Sequence, residues 1–267
     1  MKKLYYVAVA FAAMTFAACG GNKTTQNTEE VVEKSFEQDQ IEQSIKMHFD
    51  SLAASIGQLK QPGFVQEADK NGVQLTKEEK QVKPDYLLDP AIAENAQTLS
   101  EKYRLLSMLG VDKRIAALYE MPTDEYSKAT TKLLADINDP SFKEVEDAGS
   151  VFEATEILYN AMNQNGRINY YWQLVASSLV EELFIATQNT DKFLSVFDDE
   201  AASNITFRIV LVVDAVKRLA DYDADMVPVA EAIDPLTVLN AISVDELKGQ
   251  LAEAKEQIIA ARKALTE

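Results

Sequence analysis

RINYYWQLVASSLVEELFIAT (residues 167–187) and NITFRIVLVVDAVKRLADY (residues 204–222) are two long apolar stretches in the second half of the chain. In both, apolar residues recur at the three- and four-residue spacing of an α-helix and extend almost all the way around it. The pattern therefore predicts two central, largely buried helices. The β-branched run at 209–213 alone would suit a strand, but Val216 and Leu219 continue the helical period.

The remainder of the chain also favours helices. Hydrophobic residues make up 47% of the 267 residues, enough for a large core, whereas nine glycines and seven prolines are few for an all-β fold. Asp–Pro pairs at 89–90, 139–140 and 234–235 each precede a helical pattern, because Asp caps free N–H groups and Pro fits the first turn. We expect an all-α fold, an irregular multi-helix bundle of about eight to ten helices, with no repeat period that would indicate a solenoid.

Glycine and capping patterns predict several boundaries. The helix after Pro90 is expected to end at Gly110, a favourable residue just beyond a helix C-terminus. Residues 60–88 are the least regular part, and within them Thr76 and Glu79 predict a capping box. A connection of this length is uncommon in a compact domain. It is interpreted as a lid, an excursion over the surface or a poorly packed insertion.

The first eighteen residues have the pattern of an export signal. Lys2 and Lys3 precede an apolar run at 4–18, which is short for a transmembrane helix. Ala18 then precedes Cys19, the only cysteine of the chain. An exported protein avoids an unpaired thiol unless the thiol is used, so Cys19 is expected to carry a modification.

The stretch around Cys19 resembles the lipobox of bacterial lipoproteins, with Phe16 at a position that more often holds Leu. The resemblance covers only the signal region. It implies cleavage before Cys19 and a diacylglyceryl thioether on its sulfur, and two or more acyl chains anchor a protein stably. Gly20 follows the cysteine and no acidic residue occurs before Glu29, which favours the outer membrane and its periplasmic face. The alternative is an ordinary secretory signal.

These features predict a signal peptide at 1–18, a polar tether at 19–30 that begins with lipidated Cys19, and a single helical domain at 31–267. The net charge of −17 makes nucleic acid an unfavourable partner. Contact with the membrane is therefore expected through the lipid anchor rather than through a basic surface.

His48, the only histidine, lies at the edge of the apolar stripe of a predicted helix that contains Phe49 and Leu52. Histidine serves as a base or a metal ligand. With no second histidine and a single cysteine, a structural role for His48 is the favoured interpretation, and neither a catalytic residue nor a cofactor is predicted.

Asp221, Asp223 and Asp225 have the alternating spacing with which an EF-hand loop begins. The pattern then fails, because Met226 stands where glycine is required and Ala232 where the twelfth-position glutamate would be. No metal site is predicted.

Arg167, Tyr170, Tyr171 and Trp172 form an aromatic cluster with one cation, a candidate ligand or interface site. Tyr and Trp combine an apolar body with a hydrogen-bonding tip, as pockets and interfaces require. The same residues also suit the end of a core helix, and the sequence leaves both readings open.

The two apolar helices also contain charges that need partners. If the helices are antiparallel neighbours, Glu182 lies within one turn of Arg208, so a buried ion pair is predicted between them, or between Arg208 and Glu181 if the helix is rotated. The adjacent Glu181 and Glu182 diverge by about 100° on a helix and are not expected to act on one substrate atom.

The expected function is that of a non-enzymatic envelope lipoprotein, a protein-interaction or structural module with a protein partner. The alternative is a small-molecule or peptide binding protein with a groove near Tyr170–Trp172.

Overall fold

The computed structural model describes residue 43 and residues 46–55, 72–144 and 151–267, with the backbone alone for 151–155. The predicted signal at 1–18, the tether at 19–30 with Cys19, and residues 31–42 lie outside the described residues, as do residues 60–71 of the irregular 60–88 segment. The chain divides into Met1–Gln43 and a compact unit, Ser44–Glu267. The helices named below belong to this second unit.

The described residues form an all-α bundle and contain no β-strand. The described residues contain twelve helices, slightly more than the eight to ten predicted; eight of them are ten or more residues long and four are shorter. In chain order the helices are α1 (46–55), α2 (Lys77–Gln81), α3 (Leu99–Leu118), α4 (Asp124–Ile137), α5 (Ser141–Glu144), α6 (Val151–Gln164), α7 (Ile168–Gln188), α8 (Thr190–Phe193), α9 (Asp199–Ala220), α10 (Val227–Ile233), α11 (Val244–Glu253) and α12 (Lys255–Thr266).

Helix α7 is the centre of the bundle, as the first apolar stretch predicts. It packs against α3, α6, α9, α10, α11 and α12. Fourteen of its 21 residues are buried, so no side of the helix is left to solvent along its length. Trp172, Leu183 and Ile185 are among the largest fully buried side chains. Among the described helices, none is both long enough and apolar enough to cross a membrane.

Helix α9 departs from the prediction that it is buried nearly all round. Ten of its 22 residues are buried, and they form one face against α7, α10 and α11. Phe207 and Val210 on the opposite face are 49% and 45% exposed. The prediction was wrong on this point because, among the described residues, the helices that pack on α9 cover mainly one of its sides, and a residue pattern does not reveal where such partners lie.

The predicted end at Gly110 was also wrong. Helix α3 continues through Gly110 to Leu118, and the residues before Gly110 instead form a 3₁₀ turn at Pro90–Glu94 followed by α3. Burial of Leu109, Val111 and Ile115 on both sides of the glycine offsets the roughly 1 kcal/mol that glycine costs inside a helix.

The described half of the irregular segment folds onto the core. Thr76 and Glu79 form the predicted capping box at the start of α2. Beyond α2, Tyr86, Leu87 and Leu88 are partly buried against the bundle. This part of the segment is therefore a packed connection and contributes to the site described next.

Candidate functional site

Six charged side chains from four helices form two neighbouring groups on different sides of α7. They are here called the core charge network: Asp112 and Arg114 of α3, Glu181 and Glu182 of α7, Arg208 of α9 and Arg262 of α12. Asp112, Glu181 and Glu182 are buried. Burying a charge costs several kcal/mol unless it is paired, so the partners of each carboxylate decide what the network does.

Glu181 is paired with one arginine. Arg262 approaches it in bidentate fashion, with Nε 2.8 Å from Oε2 and Nη2 2.7 Å from Oε1. The same guanidinium lies over the ring of Phe184, 3.8 Å from its centroid. The packing of α12 on α7 thus places Arg262 where a carboxylate and an aromatic face both stabilise its charge.

Asp112 lies beside this pair and has no exposed surface. Its Oδ2 accepts a hydrogen bond from the backbone N–H of Leu88 at 2.7 Å, whereas Arg262 Nη2 is 3.9 Å away. Its Oδ1 is buried without a hydrogen-bond donor. Burial and the neighbouring Glu181 carboxylate raise the pKa of Asp112 to about 9.

Glu182 lies between two arginine side chains on the other side of α7. The structure brings Glu182 and Arg208 together, with Oε2 3.5 Å from Arg208 Nη1, and it adds Arg114, whose Nη2 is 3.5 Å from Oε1. The sequence analysis did not predict a role for Arg114. It expected the helix to end at Gly110, whereas α3 continues through Gly110 and carries Arg114 to Glu182. Glu181 and Glu182 take different partners, as their divergence on the helix predicts.

The aromatic cluster lies mostly in the core. Tyr171 is 3% exposed, and Trp172 has no exposed surface and contacts the rings of Tyr171 and Phe49. Tyr170 is stacked on Tyr103 with 4.6 Å between the ring centroids. Tyr171 and Trp172 therefore fill space between helices, whereas Tyr170 is partly exposed.

Arg167 belongs to a separate polar group near the end of the aromatic cluster. Its Nη1 lies 3.1 Å from the Tyr103 hydroxyl and 3.2 Å from Asp139 Oδ2. Tyr103 donates to Asp139, which also caps α5 through the N–H of Ser141. Burial alone raises the pKa of Asp139, but the hydrogen bonds from Tyr103 and Ser141 outweigh it, so the pKa lies below its ordinary value.

His48 and Asp223 form hydrogen bonds that link or cap helical segments. His48 Nε2 lies 3.1 Å from Asp214 Oδ2 and joins α1 to α9. Asp223 accepts from Asn169 Nδ2 at 2.6 Å and caps the 3₁₀ turn Ala224–Met226. In the described residues no group of three or more His, Cys, Asp and Glu is arranged to hold a metal ion.

Comparison of the chain with protein-family models, curated proteins and solved structures gives no match. Since Asp112 and Glu181 have no exposed surface, they do not contact a dissolved substrate in this conformation. The ion pairs and hydrogen bonds of the core charge network instead link α3, α7, α12 and the segment around Leu88 on one side of α7, and α3, α7 and α9 on the other.

Proposed function

We propose that this chain is a lipid-anchored helical protein of the cell envelope that acts as a protein-interaction or structural module rather than as an enzyme. The observation that carries the interaction role is the outer face of α9. Phe207 and Val210, one turn apart, are about half exposed there, whereas Ile209 and Val213 on the inner face are buried. Exposed apolar side chains that are neighbours on one helix are typical of contact surfaces for another protein.

The charge of the chain indicates the chemistry of that partner. A net charge of −17 favours a protein with a basic surface around an apolar contact, because complementary potentials speed the encounter and select partners. The alternative function, small-molecule or peptide binding near Tyr170–Trp172, receives less support, because Tyr171 and Trp172 are buried in the core.

The anchor is proposed from the sequence around Cys19, which resembles a lipobox. It would hold the helical unit at the outer membrane, on its periplasmic face. Growth with labelled palmitate should label the wild-type protein, and Cys19→Ala should abolish the label and release a soluble form. An unlabelled wild type, or a Cys19→Ala protein that stays in the membrane fraction, would contradict the anchor.

Photo-crosslinking in native cells tests the interaction surface. A photoreactive residue at position 207 or 210 should form a discrete crosslinked product, which mass spectrometry then identifies. Position 134 is the matched control, since Leu134 is an apolar residue of α4 that is 38% exposed. No product at 207 and 210, or the same product at 134, would refute the role of the α9 face. A photoreactive residue at position 170 tests the alternative function. Crosslinking there to a small molecule, with no protein product at 207 or 210, would favour that alternative.

A further inference from the structure

Asp112 and Glu181 are two buried carboxyl groups that share one nearby cation. Arg262 uses its Nε and Nη2 on Glu181, and its closest approach to Asp112 is 3.9 Å, too long for a hydrogen bond. If both acids were ionised, this corner of the core would hold two negative charges against one positive charge. An uncompensated charge in an apolar interior is strongly unfavourable.

The two oxygens of Asp112 have different surroundings. Oδ2 accepts the Leu88 N–H, and Oδ1 is buried with no donor. Asp112 Oδ2 and Glu181 Oε1 lie 3.9 Å and 2.7 Å from the same atom, Arg262 Nη2, so the two carboxyl groups are neighbours in the core. Two ionised carboxylates cannot form a hydrogen bond, because both only accept. A single proton on the pair removes the excess charge, satisfies the unpaired oxygen and converts a repulsive contact into a hydrogen bond.

We infer that Asp112 and Glu181 form a buried proton-binding site. Asp112 Oδ1 holds the proton and donates a hydrogen bond to the carboxylate of Glu181. Both oxygens of Glu181 accept hydrogen bonds from Arg262. Asp112 has no such contact with a cation, so it is the neutral member. The ligand of this site is the proton itself, which is bound while the chain is folded.

The other charged and titratable groups around the pair leave this assignment unchanged. Tyr86, from the segment before Leu88, and Tyr126 of α4 both face the pair. Burial raises the pKa of Tyr126 to about 12 and that of Tyr86 further, so both are neutral.

Several acids and cations lie at the margins of the site. Asp85 lies near Tyr86 and Asp89 near Tyr126, so neither brings a positive charge to the site. The nearby cation Arg114 is paired with Glu182. Among the described residues, Arg262 is therefore the cation that contacts the Asp112–Glu181 pair.

The site should make the free energy of unfolding decrease as the pH rises. The pKa of Asp112 is raised in the folded chain, so folding takes up a proton between the ordinary pKa of aspartate and about 9. The stabilisation is present at low pH and is lost as the pH rises through the folded pKa. Each bound proton changes the unfolding equilibrium constant by about tenfold per pH unit in this range.

The test compares the purified full-length protein with Asp112→Asn in denaturant unfolding from about pH 5 to about pH 8, the range in which one proton is taken up. Asparagine reproduces the neutral acid, since its amide donates to Glu181 and its carbonyl accepts from Leu88. The ratio of the wild-type to the variant unfolding constant should rise by about tenfold per pH unit. Asp136→Asn is the matched control, because Asp136 is exposed and its pKa is lowered by Lys132, so its ratio should stay constant.

Infrared spectroscopy of the folded wild type supplies an independent readout that requires no variant. A buried protonated carboxyl gives a C=O band that shifts in heavy water and disappears on titration to alkaline pH. The band should be absent from Asp112→Asn. A constant wild-type to Asp112→Asn ratio, or a neutral-pH wild-type spectrum without the band, would overturn the proton site. These outcomes are independent of lipidation and of the α9 contact surface.

Discussion

Neutralising Glu182 should destabilise the protein more than removing Arg208. The Glu182 side chain is 5% exposed, whereas Arg208 and Arg114 are 18% and 33% exposed. One carboxylate serves two guanidinium groups, so Glu182→Gln leaves two neighbouring cations without their shared anion. Arg208→Met leaves Glu182 paired with Arg114.

The distances set the size of the effect. At 3.5 Å and an effective dielectric constant of about 20, one ion pair has a Coulomb energy of about 5 kcal/mol. Desolvation offsets several kcal/mol of this for each ion. We expect Glu182→Gln to lower the free energy of unfolding by about 3–5 kcal/mol, the usual cost of breaking a buried pair. Arg208→Met should lower it by only about 1–2 kcal/mol, because solvent reaches the arginine and Arg114 remains.

Urea unfolding followed by circular dichroism measures both losses, and the double variant Glu182→Gln/Arg208→Met measures their coupling. Residues in contact should give a coupling energy of about 1–3 kcal/mol. The control pair is Glu125 and Lys128 of α4, which are both 72% exposed, and its disruption should leave the free energy of unfolding almost unchanged because solvent screens the pair. The reasoning is refuted if Arg208→Met costs as much as Glu182→Gln, or if the two losses simply add.

Two further changes test other parts of the structure. Tyr103→Phe removes a hydrogen bond to Asp139, so it should cost about 1–3 kcal/mol at neutral pH. Because the pKa of Asp139 is lowered in the fold, the stabilisation from its carboxylate is lost as the pH falls through that pKa. The cost of Tyr103→Phe, measured by urea unfolding, should therefore be smaller in acid than at neutral pH. Equal costs in acid and at neutral pH would contradict this. Gly110→Ala should raise the free energy of unfolding by about 0.5–1 kcal/mol, since a Cβ at Gly110 meets nothing within 4 Å in the continuous helix α3. A loss of stability would instead fit the helix end that the sequence suggested.

Several features were predictable because they depend on neighbouring residues. Helical periodicity identifies the all-α class and the central position of α7, and the spacing of Thr76 and Glu79 identifies a capping box that forms within one helical turn. The contact between Glu182 and Arg208 was also accessible, since two consecutive long helices with a short connection tend to be antiparallel neighbours. In the part of the chain that the structure describes, these predictions agree with the fold.

Only the tertiary structure decided that Asp112 and Arg262 meet Glu181 in the core. Asp112, Glu181 and Arg262 are far apart in sequence, and their contact depends on how α3 and α12 pack on α7 and on where Leu88 lies. The same is true of the half-exposed Phe207, whose apolar character does not say on which side of α9 the bundle stops. The physical reason is that periodicity records which residues share a helix face, whereas burial and desolvation depend on the partner of each face, which is fixed only when the helices pack.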